Sequence, residues 1–550
     1  MNERAANEIR RWKKLRDNRG VWANHWDDLA RVMLPRRLGF NTTQINGESR
    51  TEDIFDGTPL QAARGLANAI AGLLRPEGRD NFSIRLDSDR LEKSDEIQNW
   101  LADAESGLRD AFEDPRARFR QATGEADLDL VVFGTAPLFI GEGRKRNHLL
   151  FQSVHLKDAT VFFNEEGTAD GLYREYHDTI RQAMARFERL GTGVFSDATR
   201  EKIAANELDE KITLLRSIVP REEAVRGAFF AKNLPYTDNW IEVDAQHEIT
   251  AGGFHEFPFA VPRWDTSSGE DYGRSPGMIA LPDANTLQAM GETLLIAGQR
   301  AADPPLMAPN DGSFDTPNTF PGGLAYYDVE TAMAVRGNPF FPLDTGSNMP
   351  LTRDMQQDMR QQVFAAFFRN VLNLPVDGPE MTAAEVYQRR EEFLREIGPV
   401  FGRLESDYTA PMVERAFQVM LRRPGALPEI PESLQGQRVQ FEYESPVKRV
   451  RQQIEAAAAA EWANRQIERA TVLQRPDIAD SVNFDALGQF EAEAEGLPHV
   501  IVNSADEVAA MRQRRAEEQQ AAQEMQALAA AGEFADKAAG AANKAGLVEA

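Results

Sequence analysis

Between Tyr272 and Pro305 the chain reads YGRSPGMIALPDANTLQAMGETLLIAGQRAADPP, which prescribes a turn, one long helix and an abrupt stop. Asp283 is placed to cap that helix, since its carboxylate can accept from the free N–H groups of a first turn. From Ala284 to Ala302 there is no proline, and Leu287, Met290, Leu294, Ala297 and Ala301 recur at helical spacing. Pro304-Pro305 ends the run, because proline lacks an N–H and clashes with the preceding turn. A helix of about 19 residues is roughly 28 Å long. It is a strut, and it carries no obvious reactive group.

The chain has 550 residues, enough for several domains around a sizeable core. With 87 acidic and 62 basic residues its formal charge is −25. A protein that grips DNA from outside is usually basic, because affinity comes from neutralising phosphates. This chain should repel DNA on average, which suits either simple solubility or a conduit in which attraction would act as friction. Cysteine is absent, so disulfides and thiolate metal sites are excluded, consistent with folding in a reducing cytoplasm. Residues 1–34 are charged throughout and do not read as a signal peptide. No apolar run approaches the roughly 20 residues of a membrane span.

Residues 3–34 read as helix with a break at Gly20, with Trp22, Trp26, Leu29 and Met33 on one face. Trp12, Trp22 and Trp26 read as packing residues. Thr58, Pro59 and Gln61 suggest a capping box, and Leu60, Ala63, Ala67, Ile70 and Leu74 form the buried face behind it. A helical region over 94–134 is interrupted near Pro115. Short strands follow to Tyr176, then a helical region over 180–211. Strands return at 212–219, 229–234, 240–245 and 249–259. The first two-thirds is therefore an α+β region. Residues 306–349 are rich in glycine, proline and aromatics without helical period. A second helix is expected over 353–372, then a break at 373–379. A capping box at Thr382 and Glu385 opens a helical region reaching Arg422, kinked at Gly398-Pro399. The end is alanine-rich, with a third capping box at Ser504 and Glu507 and a tail, 532–550, too poor in apolar bulk to order alone.

Catalytic signatures are scarce. Gly273-Arg274-Ser275-Pro276-Gly277 matches the pattern of a nucleophile elbow. The oxyanion hole would need the N–H of the residue after the serine, which is Pro276, and a helix is expected only after Asp283. A hydrolase using Ser275 is the least favoured reading. No phosphate-binding loop of the G-x-x-x-x-G-K-[ST] type occurs, nor G-x-G-x-x-G. The seven histidines make no H-E-x-x-H, and His247 and His255 lie eight apart in a strand region, so zinc is not expected. No catalytic residue, cofactor or metal is assigned. The basic clusters are short and lack the interleaved aromatics of a nucleic-acid platform.

Several blocks taken together resemble the head-to-tail connector (portal) proteins of short-tailed, podovirus-type bacteriophages. They are DIFDGTPLQAARGLANAIAGLLRP (53–76), YGRSPG with its helix to AADPP, EMTAAEV (380–386) and LESDYTAPMVERAFQVMLRRPGALP (404–428). The resemblance spans residues 1–480 and rests on order and local pattern. It implies a portal architecture: an α/β wing, a helical-hairpin stem, a small clip and a C-terminal helical crown or barrel. Mapped here, 1–275 would be wing and supporting α+β region, 276–301 and 351–372 the stem helices, and 302–350 the clip. Residues 373–381 would be the channel loop, 382–444 a wing helix with return strands, 445–531 the crown and 532–550 a flexible tail. It also implies no enzymatic activity, and a dodecameric ring at one capsid vertex that passes double-stranded DNA during packaging and ejection. The implied partners are the terminase large subunit, major capsid and scaffold proteins and tail adaptors. The implied location is the virion, with host cytoplasm before assembly.

On that map, Asn373, Leu374, Val376, Asp377 and Gly378 would approach DNA. Phe314, Phe320, Tyr326, Tyr327, Phe340 and Phe341 would form a clip interface, since so many aromatics on a small element are costly in water. Repulsion between lumen carboxylates and the duplex would centre it. The alternative is another oligomeric virion or scaffold protein without a channel. A scaffold should be mostly extended helix, which the strand-rich middle argues against.

Overall fold

The computed structural model describes residues 3–41, 47–76, 82–86, 95–143, 148–222, 224, 230–309, 320–327, 341–342, 349–369, 396, 398–434, 439–443, 446–495, 508 and 510–520. The chain divides into two units, Met1–Pro446 and Val447–Ala550. The helices are α1 (Glu3–Asn18), α2 (Gly20–Met33), α3 (Thr58–Leu74), α4 (Asp95–Glu113), α5 (Phe119–Phe133), α6 (Ile180–Arg186), α7 (Asp197–Ala204), α8 (Pro276–Ala302), α9 (Met349–Ala366), α10 (Ala410–Leu421), α11 (Pro446–Val472) and α12 (Phe484–Glu495). The strands are β1 (Phe82–Leu86), β2 (Leu138–Glu142), β3 (Leu149–Ser153), β4 (Ala159–Phe163), β5 (Ala169–Thr179), β6 (Lys211–Ile218), β7 (Tyr236–Glu242), β8 (His247–Phe254), β9 (Phe259–Ala260), β10 (Leu306–Pro309), β11 (Leu324–Tyr327), β12 (Phe341–Pro342) and β13 (Val439–Tyr443).

An antiparallel meander β4-β5-β6-β7-β8 forms the main sheet of the first unit. Side chains alternate across it. Tyr173, Leu215 and Ile241 face α1, which brings Ala5, Ile9 and Trp12. Leu214, Trp240 and Ile249 face the other way, against Ile180, Ala183, Phe187 and Phe195. Glu8 on α1 is tied to the sheet, accepting from Tyr173 Oη (2.8 Å) and Ser217 Oγ (2.9 Å). The break between α1 and α2 falls at Arg19, one residue before Gly20. Its guanidinium donates to the carbonyls of Leu156, Lys157 and Ala159 in the turn before β4.

The helical layer is built around α5, every residue of which from Ala126 to Phe133 is buried. Two of those residues are carboxylates. Asp127 pairs with Arg75 at the end of α3, whose guanidinium lies 5.2 Å from the Tyr408 ring centroid. Asp129 accepts from Arg37 Nε at 3.1 Å. Burial pushes both carboxyls up to about 6, against the pull of their arginines. A second sheet, β3-β2-β9, packs on this layer, and β1 pairs with β13 antiparallel, Phe82 opposite Tyr443.

The α+β reading, the break near Gly20, the interruption near Pro115 and the first four strand segments match the fold. Several other expectations need correction. The helical region over 180–211 is two short helices split by 3-10 turns, where Gly191 takes φ +74°. The strand at 229–234 is a 3-10 turn, Ala231–Asn233. It lies across Gly253, where a Cβ would come 2.3 Å from the Ala231 carbonyl. The helix over 353–372 begins earlier, at Met349, and gives way after Ala366, with Phe368 at φ +55°. Thr58 is not the cap of α3, because Asp56 Oδ1 takes the Thr58 N–H at 2.8 Å. The helical region reaching Arg422 also contains a π-turn, Glu405–Thr409, that the sequence did not announce, while residue 397 beside the expected kink at Gly398-Pro399 lies outside the described residues. Pro411 explains the π-turn: proline gives no N–H to the Asp407 carbonyl, and the chain widens so that Ala410 N–H reaches Glu405 O instead. The boxes at Thr382/Glu385 and Ser504/Glu507, and the tail 532–550, lie outside the described residues.

In the second unit, α11 buries Ala456 and Ala463, and α12 buries Ala492. Arg512 pairs with Asp485 at 2.6 Å.

The raised carboxyl of Asp127 has a signed consequence. Between its ordinary 3.8 and about 6 the folded chain holds the proton more tightly than the unfolded chain. Stability from this group is therefore full below about 4 and lost as pH rises through about 6. Melting wild type and Asp127→Asn at about pH 7.5 and about pH 5 should show the difference moving in favour of wild type at the lower pH. An unchanged difference would mean that Asp127 does not titrate there.

Candidate functional element: a helical hairpin and its tip

The described residues hold no group of three or more His, Asp or Glu side chains suited to a metal, and no helix long and apolar enough to cross a membrane. The feature that stands out is mechanical. It begins where two backbones cross. A Cβ on Gly134 (φ +79°) would lie 2.2 Å from the Gly273 carbonyl, and one on Gly273 would lie 2.3 Å from the Gly134 carbonyl. Only glycine fits on either side. Thr135 Oγ1 accepts the Gly273 N–H at 2.8 Å. The crossing delivers Ser275, 1 % exposed, against the end of α5. Its hydroxyl donates to Val132 O at 2.7 Å and accepts from Met278 N at 3.0 Å. A Cβ on Gly277 would meet Val132 O at 3.0 Å.

The G-x-S-x-G pattern is thus a helix start packed on another helix. Ser275 caps α8 and Pro276 takes its first position, where a missing N–H costs nothing. This corrects the expected cap at Asp283. α8 has 27 residues, with Pro282 inside it, and follows Ser275 directly. The serine remains unfit as a nucleophile, because its hydroxyl is buried and both of its bonds are engaged. Ser275→Ala should cost about 0.5–2 kcal/mol of stability through the lost cap. Thermal melting checks the loss. Any hydrolytic activity in the protein that vanished with this substitution would contradict the capping role.

α8 pairs with α9. The strand β10 just after α8 pairs antiparallel with β12 just before α9, Met307 opposite Phe341, so the two helices form a hairpin with its tip at the 302–349 end. β11 joins β10 in parallel. The base of α8 is buried through Ala280, Leu281, Ala284, Leu287 and Gln288. Beyond Gln288 no residue of α8 is buried. Leu295 is 53 % exposed, Ile296 40 % and Met355 on α9 53 %. Ile279, Pro282, Thr286, Ala289, Thr293 and Ile296, spaced three and four apart, form an exposed stripe without a charge. Thr286 and Thr293 turn their hydroxyls back onto the carbonyls of Pro282 and Ala289, at 2.9 and 2.8 Å. In a chain that is 27 % charged, this stripe has the chemistry of a packing face.

Where the hairpin leaves the body it is held by Asp56. One carboxylate accepts from Thr58 N, from Arg360 Nε (2.9 Å) and Nη2 (2.8 Å) on α9, and from Gln356 Nε2 (3.4 Å). Gln288 on α8 accepts from the N–H groups of Phe55 (2.8 Å) and Asp56 (2.9 Å) and donates to Asp56 O (2.7 Å). Burial opposes ionisation, yet the bonds from Thr58 and Arg360 hold this carboxyl below its ordinary value. Beside it runs a cleft of about 610 Å³ along Phe55, Gly291, Leu294, Leu295 and Gly298. The sequence reading missed this site. Asp56 lies just before α3, but its partners on α8 and α9 lie more than 200 residues away.

At the tip, Phe320 is 59 % exposed. Tyr326 and Tyr327 lie in β11 opposite Ala308 and Pro309, and Phe341 lies in β12. The backbone thus brings Tyr326, Tyr327 and Phe341 into one small sheet. Phe314 and Phe340 lie outside the described residues, as do Asn373, Leu374, Val376, Asp377 and Gly378.

Comparison with known proteins agrees with a mechanical reading. The family described as bacteriophage head to tail connecting protein matches residues 5–502. The chain is 26 % identical over 522 residues to a probable portal protein of Bordetella phage BPP-1, covering 94 % of this chain and 92 % of that one. It is 24 % identical over 525 residues to the portal protein of Salmonella phage epsilon15, with the same coverage. Among solved structures, a chain from the virion of a native gene transfer agent particle is 10 % identical and covers 74 % of this chain and 86 % of that one, with a TM-score of 0.35.

Proposed function

Because the chain belongs to the bacteriophage head to tail connecting protein family, and so serves as a portal at the junction of head and tail, we propose that twelve copies stand in a ring at one capsid vertex. In this reading the α8–α9 hairpins are the stem, and residues 302–350 are the clip. The loop 373–381, with Asp377, approaches double-stranded DNA. The terminase large subunit docks on the clip during packaging and tail adaptors dock there later, while capsid and scaffold proteins meet the wing. Ring formation begins in the host cytoplasm. The protein is structural and needs no catalytic group.

The observation that carries the ring is the uncharged stripe from Ile279 to Ile296. One copy leaves it exposed along a long helix, and a neighbouring copy supplies a cover of matching character. Charge supports a channel, since each copy carries −25 in all, and the part of it that faces the lumen meets a duplex carrying one negative charge per about 1.7 Å. Repulsion from all sides centres the DNA and discourages sticking.

Negative-stain microscopy of the purified protein should show rings with a central hole and about twelvefold symmetry. Ile279→Glu combined with Ile296→Glu should abolish those rings. As surface changes they should each alter the stability of one chain by no more than about 0.5 kcal/mol. Rings that persist in the double variant would remove this stripe from the subunit contact. Closed assemblies without a passage would overturn the channel.

A further inference from the structure

The hub at Asp56 occupies the last buried point on the hairpin before it leaves the body. On α8 nothing beyond Gln288 is buried, and among residues 352–362 of α9 only Gln356 is. Gln288 and Gln356 both contact Asp56. The loop has no slack, because three of its backbone polar groups are taken by the one Gln288 side chain. Phe55 also lies against Gly291, where a Cβ would come within 3.0 Å of the Phe55 Cβ, so the loop and α8 are in contact as well as hydrogen-bonded. The same carboxylate that starts α3 also receives both Nε and Nη2 of Arg360. A buried carboxylate without partners is strongly disfavoured, so these bonds together keep Asp56 in place while the loop stays buried.

We infer that Asp56 is a positioning residue for the hairpin: with Gln288 and Arg360 it fixes the angle between α3 and the α8–α9 pair, and so sets where the tip stands relative to the body. The inference rests on the reading of the hairpin as the portal stem. The hub has two independent arms. Gln288 holds α8 through the loop backbone. Arg360 holds α9 through the loop side chain, and its side chain is still 44 % exposed, so this arm can be broken without opening the core.

Hydrogen–deuterium exchange on the full chain separates the arms. Arg360→Gln should speed exchange of the amides of 352–360 by about tenfold or more and leave 289–302 unchanged. Gln288→Leu should do the reverse. Asp56→Asn keeps the shape, the bond from Thr58 and the backbone groups that Gln288 holds, but loses the charge that Arg360 meets, so it should speed 352–360 and leave 289–302 unchanged. In all three variants, exchange in α5 at 126–133 should stay at the wild-type rate. Arg360→Lys keeps the charge without the forked contact and should fall between wild type and Arg360→Gln. Hairpin exchange in Asp56→Asn equal to wild type would overturn the inference. So would a uniform rise that includes α5, because that is general destabilisation. In assembled particles, Arg360→Gln should leave ring formation intact and reduce the DNA retained per particle by about twofold or more. Unchanged retention would remove the positioning role. Closed wild-type assemblies without a passage would sink the channel reading and leave the exchange result standing.

Discussion

Two carboxylates buried on one helix hold the first unit together. Asp127 and Asp129 sit on α5, which has no solvent to offer them. Each is tolerable only because an arginine from another segment reaches it: Arg75 from the end of α3, and Arg37 from the turn after α2. Losing one partner of such a pair typically costs about 3–5 kcal/mol, because the other charge stays buried. The pairs therefore act as specificity devices. An apolar helix could slide or rotate among its neighbours, but α5 cannot without stranding a charge. Tyr408 joins the Asp127 group from the π-turn, so the long C-terminal connection is registered on the same helix.

From that fixed helix the hairpin takes its position. The glycine crossing at Gly134 and Gly273 and the Ser275 bond to Val132 set the first turn of α8 directly on the end of α5. Asp56 and Gln288 then hold it a second time, about three turns further on. Two attachment points along one helix define a direction, whereas one would define only a pivot. A 27-residue helix is roughly 40 Å long, so a small angular error at the base becomes a displacement of several ångströms at the tip. That leverage explains why buried and satisfied polar groups are concentrated at the exit of the hairpin rather than spread along it.

What was legible in the sequence was local. Short segments separated by turn residues marked β2 to β5, and the apolar faces of α2 and α3 could be read from spacing. The proline-delimited segments at 272–305 were recognised as a strut. Its start was misjudged by two turns, because Pro282-Asp283 reads as an N-terminal signal as readily as Ser275-Pro276 does. Propensity alone cannot tell which pair has a neighbour to cap against. The deciding contact, Val132, is 143 residues away. The same limit hid Asp56, whose partners are 232 and 304 residues distant. The π-turn at Glu405–Thr409 was not legible in the sequence. Pro411 acts through a backbone adjustment that leaves no compositional trace.

The exposed stripe and the net charge describe one problem from two sides. A long helix with an uncharged outer face needs a cover, and a chain at −25 resists being covered by its own kind. Both conditions are met if contacts between copies run along the uncharged stripe while the carboxylates are left to line other surfaces. Charge is then excluded from the seams and concentrated on what the seams enclose. α8 carries only Asp283, Glu292 and Arg300 as charged residues, and none of the three belongs to the stripe from Ile279 to Ile296. Such a partition lets an acidic wall close around an acidic polymer without adhering to it. In that arrangement the contact follows a helix with only three charges in 27 residues.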